Sequence, residues 1–184
     1  MHRAVFVDRD GVLNDVVLRD GRPYPPASVE EMSFLPGAIE AVAALRRAGY
    51  RVIVATNQPD VAKGIQRREV VEAMHERVRQ TFAVNDIKVC YHVDDDGCAC
   101  RKPKPGMLLE AAREWGLELR RSFMVGDRWR DIGAGRAAGC ATILVTWAYV
   151  EREAPAPDLV VRSLAEATQF MLGDPWATAG GVSR

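Results

Sequence analysis

The sequence has little that would tie it to a membrane, a polyanion or an oxidising compartment. No apolar run approaches the roughly 18 residues needed to span a bilayer, and the start, Met1-His2-Arg3-Ala4-Val5, leads straight into a strand-like segment with no signal peptide. An excess of charge of one sign is also missing: 25 Lys and Arg offset 25 Asp and Glu. No general electrostatic attraction to nucleic acid or an anionic membrane follows. Aromatic residues are 7% of the chain, with no basic-aromatic stretch of the kind that stacks single strands. Four cysteines in 184 residues do not make a disulfide scaffold. These absences predict a cytoplasmic, monomeric protein with neither nucleic acid nor membrane as partner.

What is present is ordinary for a globular chain, 48% hydrophobic and 27% charged. The length fits one domain, large enough to bury roughly 70% of its unfolded surface. Short apolar runs alternate with amphipathic stretches. Strands are expected at 3–7, 51–55, 87–93, 123–125, 141–145 and 158–161. Helices are expected from Pro36-Gly37 to the stop at Gly49, over 67–82, over 105–115 before Gly116, over 131–138 before Gly139, and over 163–172. This alternation predicts parallel strands, right-handed crossovers and helices on both faces of the sheet. Gly11 to Pro26 reads as a flap or short hairpin, Ala154-Pro155-Ala156-Pro157 as a surface connection, and 173–184 as a loosely held tail.

In a doubly wound sheet the ligand crevice lies at the carboxyl ends of the strands, and four short motifs fall there. Asp8-Arg9-Asp10-Gly11 follows the first strand, where residues two apart point the same way, so Asp8 and Asp10 can converge on a cation or a shared proton. Thr56-Asn57-Gln58 follows the second and offers a hydroxyl and two amides. Arg101-Lys102-Pro103-Lys104-Pro105-Gly106 precedes a helix and can aim fixed charge and a helix amino terminus at an anion. Val125-Gly126-Asp127, with Asp131 beyond it, closes the set. Each motif alone also fits a turn, a cap or a solvated basic loop.

Together, and in this order, the motifs resemble the haloacid dehalogenase (HAD) superfamily of phosphatases, subfamily IIIA. The resemblance implies a three-layer α/β/α Rossmann-like parallel sheet, HAD-like and without a large cap domain, forming a single domain over 1–172. It also implies a phosphomonoesterase using an aspartyl-phosphate intermediate. Asp8 would be the nucleophile and Asp10 the general acid and base; Thr56 and Lys102 would hold the transferring phosphoryl group. Magnesium would bind Asp8, the main-chain carbonyl of Asp10 and Asp127, with Asp131 in support. Lys104 is the rival for the lysine role; Lys102 is preferred because the corresponding motif in the most similar subfamily is Cys-Arg-Lys-Pro. Asn57, Gln58, Arg101 and Arg128 are the expected substrate contacts, whereas Arg19 and Arg22 are expected in solvent.

Cys90, His92, Cys98 and Cys100 supply three thiolates and one imidazole, a set suited to tetrahedral structural zinc. Cys140 reads as a core residue. Cys100 directly precedes Arg101-Lys102, so a zinc-closed loop would fix where those cations point. A zinc loop ahead of Cys-Arg-Lys-Pro resembles two groups, the heptose 1,7-bisphosphate phosphatases and the histidinol-phosphatase domains. Lys104-Pro105-Gly106-Met107-Leu108 favours the first, and the short gap between His92 and Cys98 the second. Pro59-Asp60 departs from the Ser-Gly common in the family. The expected partner is a small phosphorylated metabolite, a heptose bisphosphate by the first resemblance and histidinol phosphate by the second. A phosphoaspartate receiver module is the alternative from another class, although receivers keep their acidic pair apart from the phosphorylated aspartate.

Overall fold

The computed structural model describes residues 2–147 and 155–173. Six parallel strands form one sheet in the order β5-β4-β1-β6-β7-β8, built from β1 (Ala4–Val7), β4 (Arg51–Asn57), β5 (Asp86–Cys90), β6 (Phe123–Gly126), β7 (Ala141–Val145) and β8 (Leu159–Val161). The three earlier strands run to one side of the sheet and the three later ones to the other. The order therefore reverses between β1 and β6, which opens a crevice at their carboxyl ends.

The pleat divides each strand between two cores. Val5, Val7, Val52, Val54, Phe123 and Val125 face α1 (Ala38–Arg47), α2 (Arg68–Phe82) and α5 (Leu164–Leu172). Ala4, Phe6, Ile53, Ala55 and Met124 face the opposite layer, where α3 (Gly106–Trp115) contributes Met107, Leu108 and Ala111. α4 (Trp129–Ala138) lies on that same side, because the alpha carbon of its Gly135 sits against Met124. Strands buried on both faces explain why β1 and β6 read as unbroken apolar runs. Cys140 is buried in this second core, as expected.

Three boundaries differ from the sequence reading by two residues or more. β4 runs to Asn57 instead of ending at residue 55, so Thr56 and Asn57 close the strand, paired with Val89 and Cys90 of β5. β5 ends at Cys90 instead of continuing to residue 93, because the chain bends there into a short 3-10 turn, Asp94–Asp96, in which Val93 N–H bonds to the Asp96 carboxylate. α4 begins at Trp129, and Asp131 sits inside its first turn, accepting a hydrogen bond from Arg128 N–H at 3.0 Å. The segment after Gly11 contains an antiparallel hairpin, β2 (Val17–Arg19) and β3 (Arg22–Tyr24). Its turn residues Asp20 and Gly21 have φ of 51° and 72°, the left-handed pair that an Asp-Gly two-residue turn supplies. Between β1 and β4 the chain holds this hairpin and α1, with no inserted cap domain. Among the described residues no helix is long and apolar enough to cross a membrane. The expected tail lies outside the described residues beyond Gly173.

Candidate active site

Asp8 directly follows β1, and its N–H bonds to Val125 O of β6 at 3.0 Å, which seats it at the reversal of the sheet. Three carboxylates meet here: those of Asp8, Asp127 and Asp131 each offer an oxygen within 4.8 Å of the others. The close approach depends on Gly126, where any Cβ would overlap the Asp131 side chain. Lys102, only 1% exposed, enters the same volume. Its Nζ lies 3.1 Å from Asp8 Oδ1 and 2.5 Å from Asp131 Oδ1, and donates to Ala55 O at 2.7 Å.

These neighbours set the protonation states. Burial pushes Asp8 up to about 6, with Lys102 acting against it and Asp131 and Asp10 adding to it. Burial pulls Lys102 down, but Asp131 and Asp8 outweigh it and hold the ammonium above its ordinary range. Burial also opposes ionisation of Asp10. There the Arg9 charge and hydrogen bonds from Asn14, Gln58 and Arg9 prevail, and the carboxyl stays below its usual range.

Asp8, Asp10, Asn57, Gln58, Arg101, Lys102, Arg128 and Asp131 line one open cavity of ≈ 400 Å³. Thr56 is buried beside it, its hydroxyl accepting from Gln58 Nε2 at 2.9 Å, and Asp127 is buried below. The amides expected to touch substrate are engaged with the protein. Asn57 brackets the Lys102 peptide, accepting from its N–H and donating to its carbonyl, both at 3.1 Å. Gln58 Nε2 also donates to Asp10 Oδ2 at 2.8 Å. Lys104 is outside the cavity: its Nζ bonds the Gly97 and Cys98 carbonyls at 3.0 and 2.8 Å. Of the two lysines, Lys102 is the one at Asp8.

Sequence reasoning missed two residues of the rim. Asp94 binds Arg101 Nε at 2.8 Å and both terminal nitrogens of Arg130 at 2.8 and 3.0 Å. The two guanidiniums hold its carboxyl well below the usual range, that of Arg130 first. Arg130 could have been found by its place between Asp127 and Asp131; Asp94 was hidden in a run of three aspartates. Arg101 Nη1 is buried without a hydrogen-bond partner. Arg128 Nη2 bonds Pro23 O of the hairpin at 3.2 Å. Arg19 stacks on Tyr24 and Arg22 is exposed. Neither lines this cavity. The unusual Asp60 pairs with Lys63 at 3.1 Å, which offsets its charge at the cavity mouth.

The four zinc-type ligands also come together. Cys90 Sγ lies 3.2 Å from Cys100 Sγ and 3.7 Å from Cys98 Sγ, and His92 Nδ1 lies 3.6 and 3.3 Å from Cys90 and Cys100 Sγ. All four cysteines are free thiols. Tetrahedral ligands about 2.3 Å from a zinc ion stand roughly 3.7 Å apart, so the donor set and its size fit zinc. The three-carboxylate cluster beside Asp8 is an all-oxygen set that fits magnesium.

Comparison with known proteins agrees with this geometry. A family model described as HAD-hydrolase-like matches residues 99–167. The D-glycero-beta-D-manno-heptose-1,7-bisphosphate 7-phosphatase of Pseudomonas aeruginosa is 42% identical over 151 residues, covering 79% of this chain and 82% of that protein. That of Bordetella bronchiseptica is 38% identical over 148 residues, covering 78% and 80%. The crystal structure of D,D-heptose 1,7-bisphosphate phosphatase from B. bronchiseptica, complexed with magnesium and phosphate, superposes with a TM-score of 0.81 at 34% identity, covering 94% of this chain and 99% of that one. With a parallel sheet that reverses at β1, an aspartate at that point and relatives of this similarity over most of its length, the chain belongs to the haloacid dehalogenase superfamily of phosphatases.

Proposed function

We propose that the chain is a magnesium-dependent phosphomonoesterase that removes the 7-phosphate of D-glycero-D-manno-heptose 1,7-bisphosphate in the synthesis of nucleotide-heptose precursors. The observation that carries this reading is Asp8 at the sheet reversal with Lys102 at 3.1 Å and the Asp127 and Asp131 carboxylates beside it, in a chain 42% identical to an enzyme of that name.

Asp8 attacks phosphorus through a carboxylate oxygen as the bond to the sugar oxygen breaks, giving an aspartyl phosphate; a carboxylate needs no base to activate it. Asp10, held below its usual range, takes up a proton when the incoming phosphate dianion raises its proton affinity, and gives that proton to the departing alkoxide. It then takes one from the water that cleaves the acyl phosphate, so that the Asp8 carboxylate is regenerated and inorganic phosphate is released. Lys102 and Thr56 hold the equatorial oxygens, where charge is spread in the transition state. Asn57 fixes the Lys102 peptide and Gln58 links Thr56 to Asp10. Arg101 and Arg128, on the rim, meet the second phosphate. Held by Asp8, the Asp10 carbonyl and Asp127, with Asp131 alongside, magnesium supplies the positive charge that lets a carboxylate approach a phosphate dianion. Cys90, His92, Cys98 and Cys100 hold zinc as a structural staple of the loop that presents Arg101 and Lys102.

The test is phosphate release from heptose 1,7-bisphosphate anomers, fructose 1,6-bisphosphate and histidinol phosphate, with and without magnesium. Magnesium-dependent preference for heptose bisphosphate is expected, with Asp8→Asn folded and at least about a thousandfold slower. Preference for histidinol phosphate would replace the substrate, and normal turnover by Asp8→Asn would remove the nucleophile.

A further inference from the structure

Arg9 is 0% exposed and the largest fully buried side chain among the described residues. A guanidinium so placed must put its donors on acceptors. Two of its nitrogens grip Asp10: Nε reaches Oδ1 at 3.2 Å, and Nη2 reaches Oδ1 and Oδ2 at 3.1 and 3.0 Å. The remaining nitrogen, Nη1, stands 3.2 Å from Nε2 of His75, which is also 0% exposed and projects from α2. Arginine donates and cannot accept, so Nε2 must be the acceptor. The ring is therefore neutral and carries its proton on Nδ1. Its surroundings agree: burial, and then the Arg9 charge, bring His75 down to about 4.

The rest of that helix face is apolar, formed by Val71, Met74, Val78 and Phe82. A lone imidazole among them is costly unless it is used. Among the described residues its second nitrogen makes no hydrogen bond, and the Glu72 carboxylate oxygen Oε2 stands 3.6 Å away. Glu72 in turn accepts from Tyr91 OH at 2.5 Å, between Cys90 and His92. Among the described residues, the only hydrogen bond His75 makes through its ring therefore points at Arg9, and Arg9 points at Asp10. Two-point contact ties the plane of the Asp10 carboxylate to the plane of the guanidinium, and His75 pins the third corner of that plane.

We propose that His75 is a positioning residue for phosphoryl transfer, holding through Arg9 the Asp10 carboxylate in line with the leaving oxygen. This rests on the reading of Asp10 as the proton donor. A misplacement of about 1 Å in a reacting group costs on the order of a hundredfold in rate, and a positioned proton donor contributes about 10²–10⁴-fold. Loss of the His75 acceptor should remove part of that factor without disturbing the Asp8 and Lys102 side of the site.

The experiment compares His75→Leu, His75→Gln and Asp10→Asn with wild type on two substrates. Heptose 1,7-bisphosphate expels an alkoxide that must be protonated. p-Nitrophenyl phosphate expels a phenolate that needs no proton, so its pre-steady-state burst reports Asp8 attack alone. For His75→Leu, kcat on heptose bisphosphate should fall about 10- to 100-fold, with KM within about threefold and the p-nitrophenolate burst within about threefold of wild type. His75→Gln, whose amide oxygen can replace Nε2 as acceptor, should regain most of kcat. An unchanged kcat in His75→Leu, a burst slowed by the same factor as kcat, or a glutamine variant as slow as the leucine variant would each overturn the proposal. Should His75→Leu not fold, His75→Asn, whose shorter amide stops short of Arg9, is read by the same criteria. Asp10→Asn separates the two levels: if it keeps alkyl-phosphate turnover, the reading of Asp10 fails. If it alone loses that turnover while His75→Leu does not, only the role of His75 fails.

Discussion

Replacing Lys102 with methionine tests the charge arrangement at the centre of the site. At an effective dielectric of 20, an ammonium 3.1 Å from Asp8 and 2.5 Å from Asp131 is attracted by about 5 and about 7 kcal/mol respectively. Desolvation of the three buried groups cancels much of this, and removal of one partner from a buried ion pair costs about 3–5 kcal/mol net. For a chain of this size that corresponds to a Tm lower by about 6–20 °C. The loss should depend on pH in a defined direction. The Asp8 carboxyl is already pushed from 3.8 to about 6 with Lys102 present. Because the folded protein holds that proton more tightly than the unfolded chain, stability is greater at low pH and declines as pH rises from about 4 through about 6. Without Lys102 the Asp8 and Asp131 carboxylates lose the cation between them, with Asp127 close by, so the decline steepens and extends upward. Protein free of magnesium, melted at pH 5 and pH 7.5 by differential scanning fluorimetry, should show a larger gap between variant and wild type at pH 7.5. Added magnesium chloride should then raise the Tm of the variant more than that of wild type, since the cation meets a more negative site. A Tm loss below 2 °C, or an equal loss at both pH values, would refute the reasoning.

Three other perturbations probe different parts of the fold. Metal analysis of protein purified without chelators should give one zinc per chain, and Cys100→Ser should lose it and lower Tm by at least about 5 °C; zinc-free wild type would remove the staple. Gly126→Ala forces a methyl group into the Asp131 side chain, an overlap worth about 1–3 kcal/mol, and thermal shift assays should show both a lower Tm and a weakened response to magnesium. The neutral His75 must take up a proton on unfolding in acid, so stability is present above pH 6.5 and is lost as pH falls toward about 4; urea titrations of His75→Gln across that range should show a flatter loss than wild type.

The sheet was legible because its strands are buried on both faces and punctuated by Gly and Pro: all six parallel strands and five helices fall where the apolar runs placed them. The boundary errors arose where side chains, not periodicity, decide the chain path, as at Val93, which is capped by Asp96, and at Arg128, which is capped by Asp131. Within the site, Asp8, Lys102, Asp127 and Asp131 follow from motifs at strand ends. Lys102 and Lys104 could not be separated by composition, since both sit beside prolines in one short basic run. Only the fold shows one ammonium on Asp8 and the other on loop carbonyls. Arg9 and His75 were invisible for a different reason. An arginine after a strand and a lone histidine on an apolar helix face each have an ordinary explanation, and their pairing spans 66 positions of sequence.

The polar contacts that join distant loops also account for a cavity built without a cap domain. Asn57 of β4 holds the peptide of Lys102, Asp94 after β5 holds Arg101 and Arg130 of α4, and Arg128 holds the hairpin through Pro23. Apart from the Asp94–Arg101 bond, which lies within the segment after β5, each bond joins different segments of the chain, so the basic side chains at the cavity rim are fixed relative to one another by the protein. Preorganised charge of this kind is where an active site gains most of its electrostatic advantage over water. The chain achieves it with equal numbers of acidic and basic residues: Asp8, Asp127 and Asp131 gather at the reversal of the sheet around Lys102, and bases gather at the rim of the cavity, where Asp94 is a shared anchor for two of them.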